Sequence, residues 1–356
     1  MSILTGFLLF FLLNVPIFAQ TTKIYIAQIP IFSSDDNPWA PDRPREQQKA
    51  INLMIEAFKK HDCDLIPTDL SQPLPDAHRI IIFDVPYLYD ENYLKLHDPN
   101  KCICLLWEPP TVLPFDYDIR KHDRYCRVYI MIDDFLAHPH YAKFYYPQMS
   151  LEMIEPLIPF DQKKLCVQIS SNKYFPSPFE LYSERFNVVK FFESQETNDF
   201  DFYGMHWPEN IFRNYKGLVK RKKDVLKYYK FAFCYENSKN INGYISEKIF
   251  DCFIAGCVPI FWGADNITHF IPENCFIERR KFNNTQEVYE YVKSITQEEY
   301  DQYLKNIAQF LASDAGFKFS LDYFIDLLGQ FVIPNYNRVR IFDAQICQRL
   351  NRIYAK

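Results

Sequence analysis

Three short, almost wholly apolar runs constrain this chain more than any other feature: RIIIFDV (79–85), CICLLW (102–107) and CRVYIMI (126–132). A strand wet on one face alternates apolar with polar residues. Runs without that alternation, bounded here by Pro or charged turns, suit a buried and mostly parallel sheet. KIYIAQI (23–29) is a further strand, and Arg45 to Lys60 carries apolar residues at 50, 51, 54, 55 and 58, a helical period. Strand followed by helix begins an α/β pattern. A Pro-containing stretch, YYPQMSLEMIEPLIPFDQKK (145–164), separates this half from a fresh strand at LCVQIS (165–170) and reads as an interdomain linker. Beyond it the alternation restarts, with a helix near Glu180 to Ser194, strands at FDFYG and KFAFCYEN, a helix from Glu247 to Ala255 and a strand at CVPIFW. The expectation is two Rossmann-like α/β domains facing across a cleft, spanning 21–160 and 161–334, with a leader at 1–20 and a basic tail at 335–356.

Composition narrows the function classes. At 356 residues and 48% hydrophobic content the chain can bury large cores, and 33 Phe with 25 Tyr argue against disorder. A net charge of −5 gives no global attraction to polyanions, so a nucleic-acid role has no electrostatic support. The start, MSILTGFLLFFLLNVPIFAQ, is apolar from Ile3 to Phe18 and ends at Ala19 as at a signal-peptidase site. Its lack of a positive n-region leaves an uncleaved membrane anchor as a second reading. The ten cysteines are scattered through apolar runs and read as small buried residues, and none has zinc spacing. Asp-x-Asp triplets at 62/64, 116/118 and 199/201 carry no further context and recur about as often as chance supplies them. Asp133 and Asp134 read as a turn. Sequons stand at Asn266 and Asn283.

The chemistry concentrates in residues 228–272. Ser246 is a good N-cap for a helix with apolar positions at 249, 250, 253, 254 and 257, and Gly256 supplies its stop. The loop before it therefore feeds a helix N-terminus at a strand's carboxyl end, where open α/β sheets bind ligands and helices favour anions. Lys248 in this first turn opposes the macrodipole unless an anion is near. Two readings fit it: a phosphate contact, or a solvated pair with Glu247 or Asp251. With eight glycines and neither GxxxxGK[ST] nor GxGxxG, the chain has no glycine cradle, so a diphosphate would need charged side chains.

FCYENS, GYISEK and DCFIAGCVPIFWGA with FIP following resemble the donor-site signature of the α-1,3-fucosyltransferase family, usually written FENS, GYVTEK and AGxVPVYWGA. The match is dense over about forty-five residues and weaker from Leu165 to about Asp314. The resemblance implies a GT-B-like fold and an inverting transferase that moves fucose from GDP-fucose to a glycan hydroxyl, the 3-OH of GlcNAc or Glc. It implies that Asn237, Tyr244, Glu247 and Lys248 contact GDP-fucose and that Arg185 meets the diphosphate. Lys248 and Arg185 would stabilise departing GDP, Glu247 would face the ribose or fucose ring, and Tyr244 and Asn237 would close over the nucleotide. A surface salt bridge with Glu184 or Glu180 is the other reading of Arg185. In this family a first-domain glutamate is thought to be the base, and Glu108, ending the apolar strand of LLWEPPTVLP, stands at a suitable place; a surface loop acid is the alternative. Trp107, and Trp39 within NPWAPDRP, are candidates for stacking on the acceptor, with packing as the other reading. No metal is expected for donor binding, with stimulation by Mn²⁺ or Mg²⁺ left open. Expected partners are GDP-fucose and an oligosaccharide or glycoconjugate, with membrane association through the N-terminus, in a secretory or exported location. Ser246 replaces the family's usual Thr and keeps the hydroxyl.

Overall fold

A computed structural model describes residues 21–28, 45–68, 70–85 and 92–336, with side chains from 52 in the first helix and from 94 in the second. The leader, Trp39 with its loop, Cys347 and the tail beyond Tyr336 lie outside the described residues. Within both sheets every strand pairing is parallel. The first sheet contains β1 (Thr22–Gln28), β2 (Cys63–Pro67), β3 (Arg79–Phe83), β4 (Cys102–Leu106), β5 (Arg127–Ile130) and β6 (Tyr141–Lys143), in the order β2-β1-β3-β4-β5-β6. Helices α1 (Arg45–Lys59) and α2 (Asn92–Lys95) belong to this half. All of β4 is buried, as its unbroken apolar run requires.

The second half runs β7 (Lys164–Ile169), α3 (Tyr182–Ser194), β8 (Phe200–Tyr203), α4 (Lys222–Leu226), β9 (Tyr229–Tyr235), α5 (Glu247–Ile254), β10 (Val258–Trp262) and β11 (Ile277–Glu278). Its sheet order is β11-β10-β9-β7-β8. Helices α6 (Thr285–Ser294), α7 (Gln297–Leu311), α8 (Asp314–Phe317) and α9 (Leu321–Val332) follow.

The chain does not stay in its second half. Leu321, Phe324, Ile325, Leu328 and Val332 of α9 pack into the hydrophobic cluster of the first sheet, with Ile24, Phe58 and Tyr129. Burying such side chains contributes about 2 kcal/mol each, so α9 is held by the first domain although the sequence-based division at 161–334 groups it with the second. The alternation of strands and helices shows where elements are and not which core a late helix joins.

The domains are also tied at their facing edges. Asp133, just past β5, accepts from Lys143 Nζ at 2.6 Å and from Asn266 Nδ2 at 2.7 Å, and its backbone N–H donates to Asn242. Gly243 lies between them at φ +80, and a Cβ there would strike Lys143, Asp133 and the Met131 carbonyl. Asp133 is thus an interdomain contact as well as a turn residue. Asn266 Oδ1 accepts from Gly243 N–H at 2.8 Å, so both ends of this sequon's amide are engaged within the protein.

Candidate active site

Parallel strands deliver their carboxyl ends to one edge, and here the two edges meet. On the second domain, Ser246 caps α5, accepting from the Lys248 N–H. The helix is buried on nearly every side, including Asp251 and Cys252, rather than along a single stripe. Gly256 terminates it at φ +63.

Glu236, the residue directly after β9 in FCYENS, is the centre of this edge. It is fully buried, and its carboxylate accepts from Ser246 N at 2.8 Å, Ser246 Oγ at 2.8–2.9 Å and Lys248 Nζ at 3.1 Å. Lys248 is therefore tied chiefly to a buried acid, with Glu247 farther off at 3.9 Å. Neither sequence-based reading of Lys248 included that partner. Asp251 instead faces Lys222 at 3.3 Å and Lys223 at 3.9 Å. Lys222 also holds Glu247 at 2.8 Å. Burial works to raise the Glu247 carboxyl, but Lys222 and Lys248 outweigh it and hold the group well below the usual carboxylate range. For Lys248 burial lowers the pKa, and Glu236 and Glu247 more than offset that. Both side chains keep about a quarter of their surface exposed, 29% and 22%, enough to meet a ligand.

Arg185 is buried on α3. Its guanidinium donates to the Tyr235 carbonyl at 2.7 Å and Asn237 Oδ1 at 3.0 Å, and lies over the Tyr182 ring. It points at the end of β9, not into solvent beside Glu184. Arg185, Asn237, Glu247 and Lys248 thus gather at one edge. Tyr244 is placed differently: at 2% exposure it is packed into the first-domain cluster, between the domains, within electrostatic reach of Glu236, Glu108 and Glu247.

Glu108 comes from the opposite edge. It leaves β4 half-buried, and its carbonyl accepts from Tyr117 OH at 2.7 Å. Burial first, and then the charge of Asp84, push its carboxyl up to about 7, against the pull of Lys248 across the cleft. Three residues on, Thr111 Oγ1 meets Ser238 Oγ at 2.6 Å, joining this loop to the one after β9. Trp107 packs among Phe83, Phe144, Tyr146 and Phe324, which matches the packing reading.

Residues 161–315 match the model of glycosyltransferase family 10 (fucosyltransferase), C-terminal part. Similar curated proteins include the α-(1,3)-fucosyltransferase FucT of Helicobacter pylori, 35% identical over 75 residues, and the α-(1,4)-fucosyltransferase of Arabidopsis thaliana, 37% over 71. These stretches cover 21% and 20% of this chain and 16% and 18% of those proteins, so the chain matches less than a fifth of either relative's length. Over residues 161–315 the chain is similar to glycosyltransferase family 10. A crystal structure of an α1,3-fucosyltransferase superposes with a TM-score of 0.56 at 15% identity, covering 90% of this chain and 92% of the other. T4 phage β-glucosyltransferase with UDP-glucose gives 0.53 at 13%, covering 87% and 99%. The chain therefore has the GT-B fold, two parallel-sheet domains across a cleft.

Two residues of the site were missed in the sequence, Glu236 and Lys222. The signal for Glu236 was present, because it ends an apolar strand as Glu108 does. Lys222 lies in a run of basic residues, RKKD, where nothing distinguishes the one that folds onto Glu247. Of the Asp-x-Asp residues, Asp118 holds Arg120, Asp199 accepts from Tyr289, and Asp201 accepts from Lys164 and Tyr229. Among the described residues no group of three His, Cys, Asp or Glu side chains is arranged to hold a metal, and the nine described cysteines are free.

Proposed function

We propose that this protein transfers L-fucose from GDP-fucose to a hydroxyl of a glycan acceptor, the 3-OH of GlcNAc or Glc, with inversion at the anomeric carbon. The observation that carries the reading is Glu108: a carboxyl near neutrality at the end of a first-domain strand, facing the Lys248 and Glu247 turn of α5. A base poised at that pKa is matched to accepting a hydroxyl proton at physiological pH. In the proposed step Glu108 takes the acceptor proton while the acceptor oxygen forms a bond to C1. The bond from C1 to the β-phosphate oxygen breaks, and GDP departs with the electron pair. Lys248 and Arg185 stabilise the charge that develops on the leaving diphosphate. Glu247, kept ionised, faces the sugar or ribose hydroxyls as an acceptor. Asn237, which accepts from Arg185, would close over the nucleotide. Tyr244, packed between the domains, would meet the donor through its hydroxyl end.

Donor binding without a divalent ion is part of this proposal, since the cations at the α5 edge are protein side chains; Mn²⁺ or Mg²⁺ would act on turnover. The apolar leader supports a secretory or exported location, soluble after cleavage or anchored without it; among the described residues no helix is long and apolar enough to cross a membrane. The experiment is incubation with labelled GDP-fucose, GDP-mannose and UDP-glucose against an array of glycan acceptors. Transfer from GDP-fucose alone supports the reading, and the reactive acceptor reports the linkage. Transfer from a UDP-sugar instead, or binding of glycan without any transfer, overturns it.

A further inference from the structure

We propose that Asp84 and Asp116 are positioning residues for Glu108: a buried carboxyl pair sharing one proton, which fixes the peptide carrying Glu108 and sets the negative charge its carboxylate feels. The inference rests on the reading of Glu108 as the base.

Asp84 directly follows β3, in the left-handed region at φ 58 and 7% exposed. One of its oxygens, Oδ1, accepts from the N–H groups of both Trp107 at 2.6 Å and Glu108 at 3.3 Å. Its own N–H donates to the Leu105 carbonyl at 2.8 Å. Asp84 therefore grips the neighbouring strand where β4 ends. The next two residues are Pro109 and Pro110, which have no N–H to offer, so the backbone at Glu108 is held by Asp84 on one side and Tyr117 OH on the other.

Asp116 completes the arrangement. It is 1% exposed, and its Oδ1 accepts from the Val85 N–H at 3.0 Å, while Oδ2 is buried without a donor. The two carboxyl groups act on each other, and a proton carried by one of them would supply the donor that Asp116 Oδ2 lacks. His122 Nε2 lies 2.6 Å from the Asp116 carbonyl oxygen and holds this turn in place. Facing the pair are Cys104, Tyr117, Tyr125 and, as the nearby cation, Lys121; facing Glu108 are Asp84, Asp116, Lys248, Glu247 and Lys173, with the hydroxyls of Tyr117, Tyr146, Tyr182 and Tyr244. Burial pushes both aspartates up, Asp116 to about 6 and Asp84 well above its ordinary value, which favours a proton on the pair.

Substitutions that leave the pair's charge at −1 but move it separate this role from plain packing. Asp84→Asn keeps an acceptor for Trp107 and Glu108, supplies an N–H to Asp116 and tolerates the left-handed backbone. It places the charge on Asp116. Asp116→Asn places it on Asp84, the aspartate that acts on Glu108 most strongly. In full-length protein with ¹³C-labelled glutamate, the Glu108 carboxyl, assigned through Glu108→Gln, is expected to titrate about half a pH unit or more lower in Asp84→Asn than in Asp116→Asn. The acid limb of transfer should move in parallel. Asp84→Gly, which keeps the backbone and deletes the acceptor, should lower kcat by about 10–100-fold at unchanged KM for GDP-fucose, as expected when a reacting group is misplaced. Asp84→Asn should restore most of that. Coincident Glu108 titrations in the two Asn variants overturn the proposal. That comparison needs no substrate, so it stands apart from the functional reading, which fails instead if Glu108→Gln still transfers.

Discussion

The two edges of the cleft are built alike and charged in opposite ways. Each is the carboxyl end of a parallel sheet, and each carries buried or half-buried acids. On the second domain every acid has a cation: Glu236 with Lys248, Glu247 and Asp251 with Lys222. On the first domain Asp84, Asp116 and Glu108 crowd together, and the cations that act on them, Lys121 and Lys248, are outweighed by burial. Pairing with Lys222 and Lys248 outweighs burial at Glu247 and holds its carboxyl well below the usual range, as a site for a charged diphosphate needs. Crowding lets the second set hold protons near neutrality, as acid–base work needs. One fold edge thus supports two chemistries, and the partner charges decide which.

The largest test of that contrast is Glu108→Gln. Transfer should fall by about 10² to 10⁴ while GDP affinity stays level, because the residue touches the acceptor's proton and little of the nucleotide. Rate and affinity measured on one preparation check this, and transfer within a few-fold of wild type returns Glu108 to a loop acid. Next comes Lys248→Ala. It should weaken GDP binding by about 1.5–3 kcal/mol. It also leaves Glu236 fully buried without its cation, so stability should drop by about 3 kcal/mol or more. Adding Glu236→Gln should recover stability and not GDP affinity; recovery of both would make Lys248 purely structural.

A third effect is pH dependence. With the Glu108 carboxyl near 7, kcat/KM should decline about tenfold per pH unit below that value, whereas Glu247, held well below the usual range, should add no limb between pH 5 and 8. A rate–pH profile flat from 5 to 7 removes the base. Smaller is the effect on stability. The folded state raises Glu108 above its unfolded value of about 4.3, so between about pH 4.3 and 7 the native protein binds more protons and loses stability as pH rises. Glu108→Gln should therefore raise Tm at pH 8, by about 2–4 °C for each kcal/mol relieved, with the gain shrinking at pH 5. Equal Tm differences at both pH values contradict the raised carboxyl. The smallest expected effect is none: calorimetric GDP affinity should be the same with and without EDTA, and a loss restored by Mn²⁺ would assign charge neutralisation to metal.

The sequence by itself determined the parallel α/β character, through apolar runs such as CICLLW that only a doubly covered sheet accommodates, and the two ends of α5, through Ser246 and Gly256. Strands β1, β3, β4, β7 and β9 lie within a residue or two of their expected positions. The short elements escaped it: β2 (CDLIP), β6 (YAK) and β11 (IE) have too few residues to show a period and are strands because a neighbour pairs with them. Asn237, Glu247 and Lys248 were legible as one motif because they are close in sequence, whereas Arg185, 52 positions before Asn237, was suggested only by the weaker resemblance upstream. What tertiary structure alone decided is which charge answers which. Glu236 and Lys248 are twelve positions apart, Lys222 and Glu247 twenty-five, Asp84 and Asp116 thirty-two, and Asp116 in sequence was one of three indistinct triplets. Local pattern is set by neighbours along the chain. The protonation state of a buried carboxyl is set by whatever charge and solvent the folded chain brings within a few ångströms, and no spacing rule carries that information.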